Sequence, residues 1–179
     1  MPSNIEIKAA LQDWDKAVAA AEKISDVPSR VIAQEDIFFS SAGARLKLRI
    51  LASDRGELIR YERPDTPGMR CSRYLIAHTP DPQILLEILS RALSKSGVVK
   101  KTRTLYLVGQ TRVHLDRVQD LGDFLELEVV LRAGQSEAEG ESIAENLLSH
   151  FGIAAHELIA EAYVDLLARR ANASVPPEP

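Results

Sequence analysis

In Arg45-Leu46-Lys47-Leu48-Arg49 every second residue is a cation, and in Leu125-Glu126-Leu127-Glu128-Val129 carboxylates space the apolar residues. Ile5-Glu6-Ile7-Lys8 begins the chain with the same beat. Successive side chains of a strand point to opposite faces, so each segment is a ribbon with one apolar and one ionic side. A single ribbon of this kind makes an ordinary solvated sheet. Several together, with cations on some strands and carboxylates on others, fit a sheet curled around a charge-lined cavity.

The rest of the 179 residues reads as short strands between turn signals. Strands are expected at 4–9, 30–39, 44–51, 57–63, 69–78, 98–108, 112–118 and 123–131. Ser40-Ser41-Ala42-Gly43, Ser53-Asp54-Arg55-Gly56 and Gly109-Gln110 carry hairpin-type turn chemistry, and Pro64-Asp65-Thr66-Pro67-Gly68 and Gln119-Asp120-Leu121-Gly122 are further turns. Helices are expected at 16–24, from Pro80 to a close at Gly97, at 136–151 and at roughly 157–171. About eight strands, mostly hairpin-linked, can close on themselves. The expected class is therefore α+β, a closed antiparallel β-barrel with flanking helices. The apolar stripe of each helix must be buried, and the apolar face of the sheet is the partner available. The ionic face then turns inward, where it survives only if wet, mutually paired or filled by a ligand. A single domain over 1–172 and a disordered tail over 173–179 complete the expected organisation.

Composition excludes several function classes. A net charge of −4 gives no bulk basic surface for nucleic acid. Cys71 is the single cysteine, so neither an internal disulfide nor a thiolate-rich metal site can form, and a half-buried place on a strand is expected for it. No apolar run is long enough to span a bilayer. The start, Met1-Pro2-Ser3-Asn4, lacks the features of a signal peptide, so a cytoplasmic protein is the expectation. Glycine-rich phosphate loops and a Ser-His-Asp signature are both missing. The four histidines have no ligand spacing, and His114 reads first as a tolerated polar residue of a strand.

Two sets of residues could carry chemistry. The acids are Glu6, Asp116, Glu126 and Glu128, and carboxylates without thiolate or histidine partners suit a hard cation, Mg²⁺ or Mn²⁺. The cations are Lys8, Arg45, Lys47, Arg49, Arg60, Lys100, Lys101 and Arg103. Brought together from several strands they would clamp a chain of phosphates, arginine as a planar fork and lysine as a point charge. Segment by segment, cross-strand salt bridges on a solvated face account for both sets. Across four strands taken together, a shared cavity accounts for them better.

Ordered motifs then give a resemblance. Asn4-Ile5-Glu6-Ile7-Lys8, Gln34-Glu35-Asp36-Ile37-Phe38-Phe39, Leu46-Lys47-Leu48-Arg49 and Lys101-Thr102-Arg103 are followed by His114-Leu115-Asp116-Arg117-Val118, Phe124-Leu125-Glu126-Leu127-Glu128 and Tyr163-Val164-Asp165-Leu166-Leu167. This series resembles the CYTH superfamily, which includes class IV adenylate cyclases and thiamine triphosphatases, over almost the whole chain. The resemblance implies a triphosphate tunnel fold with Glu6, Asp116, Glu126 and Glu128 as metal ligands and, with Lys8, as the catalytic set. It implies Lys8, Lys47, Arg49, Lys101 and Arg103 on the triphosphate, with Arg60 where the family has a further cation. Asn4 stands where the family's opening motif has its first glutamate, and an amide oxygen coordinates a cation without bringing charge.

The implied activity is that of a class IV adenylate cyclase, converting ATP to cyclic AMP and pyrophosphate with Mg²⁺ or Mn²⁺. A triphosphatase acting on thiamine triphosphate, a nucleoside triphosphate or inorganic triphosphate is the alternative. A non-catalytic nucleotide or polyphosphate sensor, suggested by Asn4, is the third reading. The expected partner is a small-molecule triphosphate, with neither nucleic acid nor membrane, and a homodimer is left open.

Overall fold

Short, chemically specific turns make this sheet out of neighbours in sequence. Gly109 at φ 56° and Asp120 at φ 64° take the left-handed corners of two successive hairpins. The computed structural model describes residues 3–41, 44–62 and 69–173. It contains β1 (Ser3–Ala10), α1 (Trp14–Ile24), β2 (Arg30–Phe39), β3 (Arg45–Ala52), β4 (Arg55–Glu62), β5 (Arg70–Thr79) and α2 (Pro82–Ala92). These are followed by β6 (Lys95–Val108), β7 (Thr111–Val118), β8 (Gly122–Val130), α3 (Glu137–Phe151) and α4 (Tyr163–Ala173). The strands form a closed antiparallel barrel in the order β1-β5-β4-β3-β2-β6-β7-β8, with β8 returning to β1. The expected turns at Ala42-Gly43 and Pro64-Asp65-Thr66-Pro67-Gly68, and the tail from 174, lie outside the described residues.

The alternation works as expected, polar inside and apolar outside. Ile5, Ile7, Val113, Leu115, Leu125 and Leu127 face outward and are buried under α1 and α3. Ile37, Phe39 and Leu48 face outward beneath α2, against Leu85, Leu86 and Leu89. Side-chain caps begin α1 and α3: Asp13 accepts from the backbone N–H of Lys16, and Ser136 forms a reciprocal capping box with Glu139. Gly140 lets α3 descend on β1, since a Cβ there would meet Ile5 at 2.7 Å.

The second and the last helix differ from expectation in their boundaries. The second helix ends at Ala92, and Gly97 lies inside β6, which begins at Lys95. The glycine is needed for close approach: a Cβ at Gly97 would meet the Val164 side chain at 2.3 Å. The last helix begins at Tyr163 instead of near 157, because its approach is drawn out into extended chain. Leu158 bridges to Ala9, and the Ile159 N–H donates to the Lys8 carbonyl at 2.7 Å. The helix also runs to Ala173, one residue into the expected tail.

This last segment decides the shape of the interior. Unlike the other three helices, α4 does not lie on the outer face. Tyr163 and Leu166 pack on Phe38, Val99, Val118 and Phe124. One end of the barrel is thus stoppered by an apolar cluster. The charged part is left as a pocket.

Candidate active site

The pocket has a volume of about 900 Å³ and takes lining residues from all eight strands. Ala162 and Tyr163 floor it at the stoppered end. Exposed Arg30, Val31, Arg55 and His78 line its other end. The period-2 geometry explains the membership of each strand: Asn4, Glu6 and Lys8 from β1, Lys47 and Arg49 from β3, Lys101 and Arg103 from β6, Glu126 and Glu128 from β8.

Near the floor, charges are buried and paired. Asp116 is fully buried and accepts from Lys101 Nζ at 3.0 Å, from Arg103 Nε at 2.7 Å and from the Tyr163 hydroxyl at 3.2 Å. Arg103 also reaches Glu126 at 2.5 Å, and Lys8 Nζ lies 3.3 Å from the same carboxylate. Lys8 sits over the Tyr163 ring, 4.0 Å from its centre, and donates to the Glu161 carbonyl at 3.0 Å. Arg70, on β5, holds the segment above Tyr163 by donating to the carbonyls of Ala160 and Ile159. Burial by itself would raise the Asp116 carboxyl, but Arg103 and Lys101 outweigh it and bring the pKa down to about 2. Burial, with Arg103 alongside, lowers the Lys101 ammonium despite its acidic partners.

A second cluster spans β2 and β3. Asp36 accepts from Lys47 Nζ at 2.8 Å and from Arg49 Nε at 2.8 Å. Burial opposes its charge, yet Arg49 and Lys47 hold it well below the usual carboxylate range. The Lys47 ammonium is lowered by burial, an effect that Asp36 only partly offsets.

A third cluster lies toward the open end. Glu128 accepts from Arg112 Nε at 2.7 Å and faces His114 Nδ1 at 3.8 Å. Burial raises the Glu128 carboxyl, while His114 when protonated and Arg112 at every pH bring it to about 2. The imidazole itself is pushed down to about 3 by burial and by Arg103, so His114 is neutral at physiological pH.

Most of the residues expected to act together do converge. Glu6, Lys8, Lys47, Arg49, Lys101, Arg103, Glu126 and Glu128 all line the pocket. Glu6 lies directly opposite Glu128 in the β1–β8 ladder, and Lys8 opposite Glu126. Two expectations fail. Arg60 points outward, half-exposed beside Glu62 at 2.7 Å, because Arg55, Glu57, Ile59 and Tyr61 are the inward residues of β4. Asp116 does share the inner face, but it is sealed beneath Lys101, Arg103 and Tyr163 instead of lining the pocket. It is opposite Phe124 in register, and only diagonal to Glu126.

Asp36, Arg112, His114 and Tyr163 are parts of the site that the sequence reading did not assign. The signal for three of them was present. Arg112, His114 and Asp116 alternate on β7, and Asp36 alternates with Gln34 and Phe38 on β2. Tyr163 opens the last motif of the resemblance, but nothing local tells that its helix will enter a barrel end. Cys71 is half-buried on β5 as expected, and burial pushes its thiol up.

The chemistry of the donors fits a divalent cation. One ligand atom each from His114, Glu126 and Glu128 lie within 4.8 Å of one another. Asn4 Oδ1, Gln34 Oε1 and His114 Nδ1 are buried without a hydrogen-bond partner. A buried polar atom left in this state costs about 1–3 kcal/mol, so such atoms mark room for a ligand.

Comparison with known proteins bears on the whole architecture. Residues 3–163 match the CYTH domain family. The PH1012 protein of Pyrococcus horikoshii OT3 superposes with a TM-score of 0.80 at 23% identity, covering 91% of this chain and 98% of that one. A proposed adenylate cyclase of Vibrio parahaemolyticus gives 0.69 at 16% identity, covering 92% and 97%. HpAC1 of Hippeastrum, a proposed adenylyl cyclase with a dominant triphosphatase activity, gives 0.65 at 15%, covering 97% and 98%. At these identities the likeness establishes the fold. No curated protein sequence matches the chain. Among the described residues no helix is long and apolar enough to cross a membrane.

Proposed function

The chain belongs to the CYTH family, and from that premise we propose that it is an enzyme breaking a phosphoanhydride bond of an organic triphosphate, with Mg²⁺ or Mn²⁺. The observation that carries this reading is the convergence of five cations from three strands, Lys8, Lys47, Arg49, Lys101 and Arg103, on a pocket that also holds Glu6, Glu126 and Glu128. A polyphosphate entering it exchanges the carboxylate partners of these cations for phosphate oxygens. Arginine grips as a two-pronged fork and lysine as a point charge. The floor at Tyr163 limits how deep the phosphates travel, which leaves the organic group toward the open end.

The protein's contribution is positional and electrostatic. Lys101 and Lys47 sit where burial disfavours their charge, so an incoming anion favours the charged form and is held in return. The stoppered end excludes water from one side of the phosphates. Glu126 and Glu128, with Glu6 across the ladder, are the carboxylates that would hold a divalent ion. Such an ion, when bound, would neutralise charge developing on the leaving phosphate.

The leading activity is cyclisation of ATP to cyclic AMP and pyrophosphate. Hydrolysis is the second reading, favoured by the triphosphatase activity named for HpAC1, whose fold this chain shares. The protein is incubated with ATP, thiamine triphosphate and inorganic triphosphate, each with Mg²⁺ or Mn²⁺, and the products are resolved. Cyclic AMP with pyrophosphate establishes the cyclase. Orthophosphate with the corresponding diphosphate establishes the triphosphatase. Tight binding with no product under either metal eliminates both and leaves a sensor.

A further inference from the structure

Among the unpartnered buried atoms of the pocket is the His114 ring nitrogen, which lies beside a carboxylate. His114 is 3% exposed and directly opposite Glu126 in the β7–β8 ladder. Its Nδ1 has no hydrogen-bond partner and points at Glu128 from 3.8 Å. That distance is too long for a hydrogen bond. It is short enough for both side chains to ligate one ion, since the ligand atoms of His114, Glu126 and Glu128 fall within 4.8 Å. Across the barrel seam, Asn4 is 4% exposed and its Oδ1 is also without a partner. Asn4 is opposite Val130, one step diagonal from Glu128.

We propose that this chain binds its divalent cation through the His114 imidazole together with Glu126 and Glu128, with the Asn4 amide as a neutral fourth donor. The inference rests on the reading of the pocket as a metal and triphosphate site. Its consequence is a preference among ions. Mg²⁺ takes oxygen donors and gives up water reluctantly, whereas an imidazole donor suits later first-row ions and is accepted by Mn²⁺. An imidazole beside the carboxylates therefore shifts the preference away from Mg²⁺ and toward first-row ions, Mn²⁺ among them.

The pairing of the apo pocket adds a second consequence. Arg103 and Lys8 hold Glu126, and Arg112 holds Glu128. A triphosphate competing for these cations frees the carboxylates. The ion then binds more tightly with triphosphate present, and the triphosphate gains the same factor from the ion.

The test uses the full chain labelled with ¹⁵N-histidine, loaded with Mn²⁺ in the presence and absence of inorganic triphosphate. Electron spin echo modulation reads nitrogen bound directly to manganese, and competition titration against Mg²⁺ reads the preference. The expected result is coupling to one ¹⁵N-histidine nitrogen, stronger Mn²⁺ binding with triphosphate, and loss of both coupling and preference in His114→Gln. The wild-type spectrum stands without the variant, should that variant not fold. Mn²⁺ bound without histidine coupling, or no Mn²⁺ bound at all, overturns the proposal. If Mg²⁺-dependent turnover persists in that case, the inference alone has failed. If neither triphosphate binding nor turnover occurs with any metal, the reading beneath it has failed as well.

Discussion

The floor of the pocket and its open side carry the same kinds of charge and use them differently. At the floor, Asp116 is wholly buried and takes bonds from Lys101, Arg103 and Tyr163. On the open side, the Glu128 side chain keeps 18% of its surface exposed and has Arg112 and an unpartnered imidazole beside it. Both carboxyls are brought to about 2, so charge state does not distinguish them. What distinguishes them is spare coordination. A saturated carboxylate holds the barrel together, and an unsaturated one is available to a ligand.

The sharpest way to break this contrast is Asp116→Asn. It removes one of the two carboxylates that face buried Lys101 and Arg103 and leaves Glu126 alone to balance them, and should cost about 3–5 kcal/mol of stability in urea denaturation. A loss under 1 kcal/mol would mean that the floor is not structural. Next comes Lys47→Met on the β2–β3 side. Arg49 still satisfies Asp36, so the fold should persist while affinity for inorganic triphosphate falls by about 1.5–3 kcal/mol, roughly tenfold to a hundredfold, in calorimetric titration. Unchanged affinity would remove Lys47 from the clamp.

Acid stability probes the open side without any ligand. The unfolded His114 takes up a proton near pH 6.5, and the folded one only near 3. The unfolded state therefore binds more protons across that window, and stability falls as pH drops, by about 1.4 kcal/mol per unit. Asp116 and Glu128 act in the same direction further down. Their contribution is present above their unfolded pKa values and is lost toward pH 2. In His114→Gln the slope between 6.5 and 3 should flatten, measured as denaturation midpoints against pH. An unchanged slope would show that another group carries it. The smallest effect is expected outside the barrel. Arg60→Ala should change stability by less than about 0.5 kcal/mol and leave triphosphate affinity as it was, because its partner Glu62 is as exposed as it is.

Arg60 also shows where reading the sequence stops. On β1, β3 and β8 the middle of one face is wholly apolar, so the phase of the alternation is unmistakable and the inward residues could be named. On β4 both faces carry charge: Arg55 and Glu57 lead one, Arg60 and Glu62 end the other. Composition then leaves the phase open, and the pairing of Tyr61 with Arg45 and Tyr74 decides it. His114 failed for another reason. An isolated histidine on a strand is ordinary, and its opposition to Glu126 exists only once β7 and β8 are in register.

The sequence by itself determined the closed antiparallel sheet, its apolar outside and ionic inside, and most of the cations and acids that meet there. All of this follows from the period of two in the strands, the hairpin turns between them and the apolar stripes of the helices, and each of these signals is local. The tertiary structure alone decided which acid is sealed and which is open, and that the tunnel has a floor. Those outcomes depend on strand register and on residues 158–166 reaching back to Lys8, Arg70 and Asp116. Contacts separated by up to 153 residues leave no mark in any local pattern.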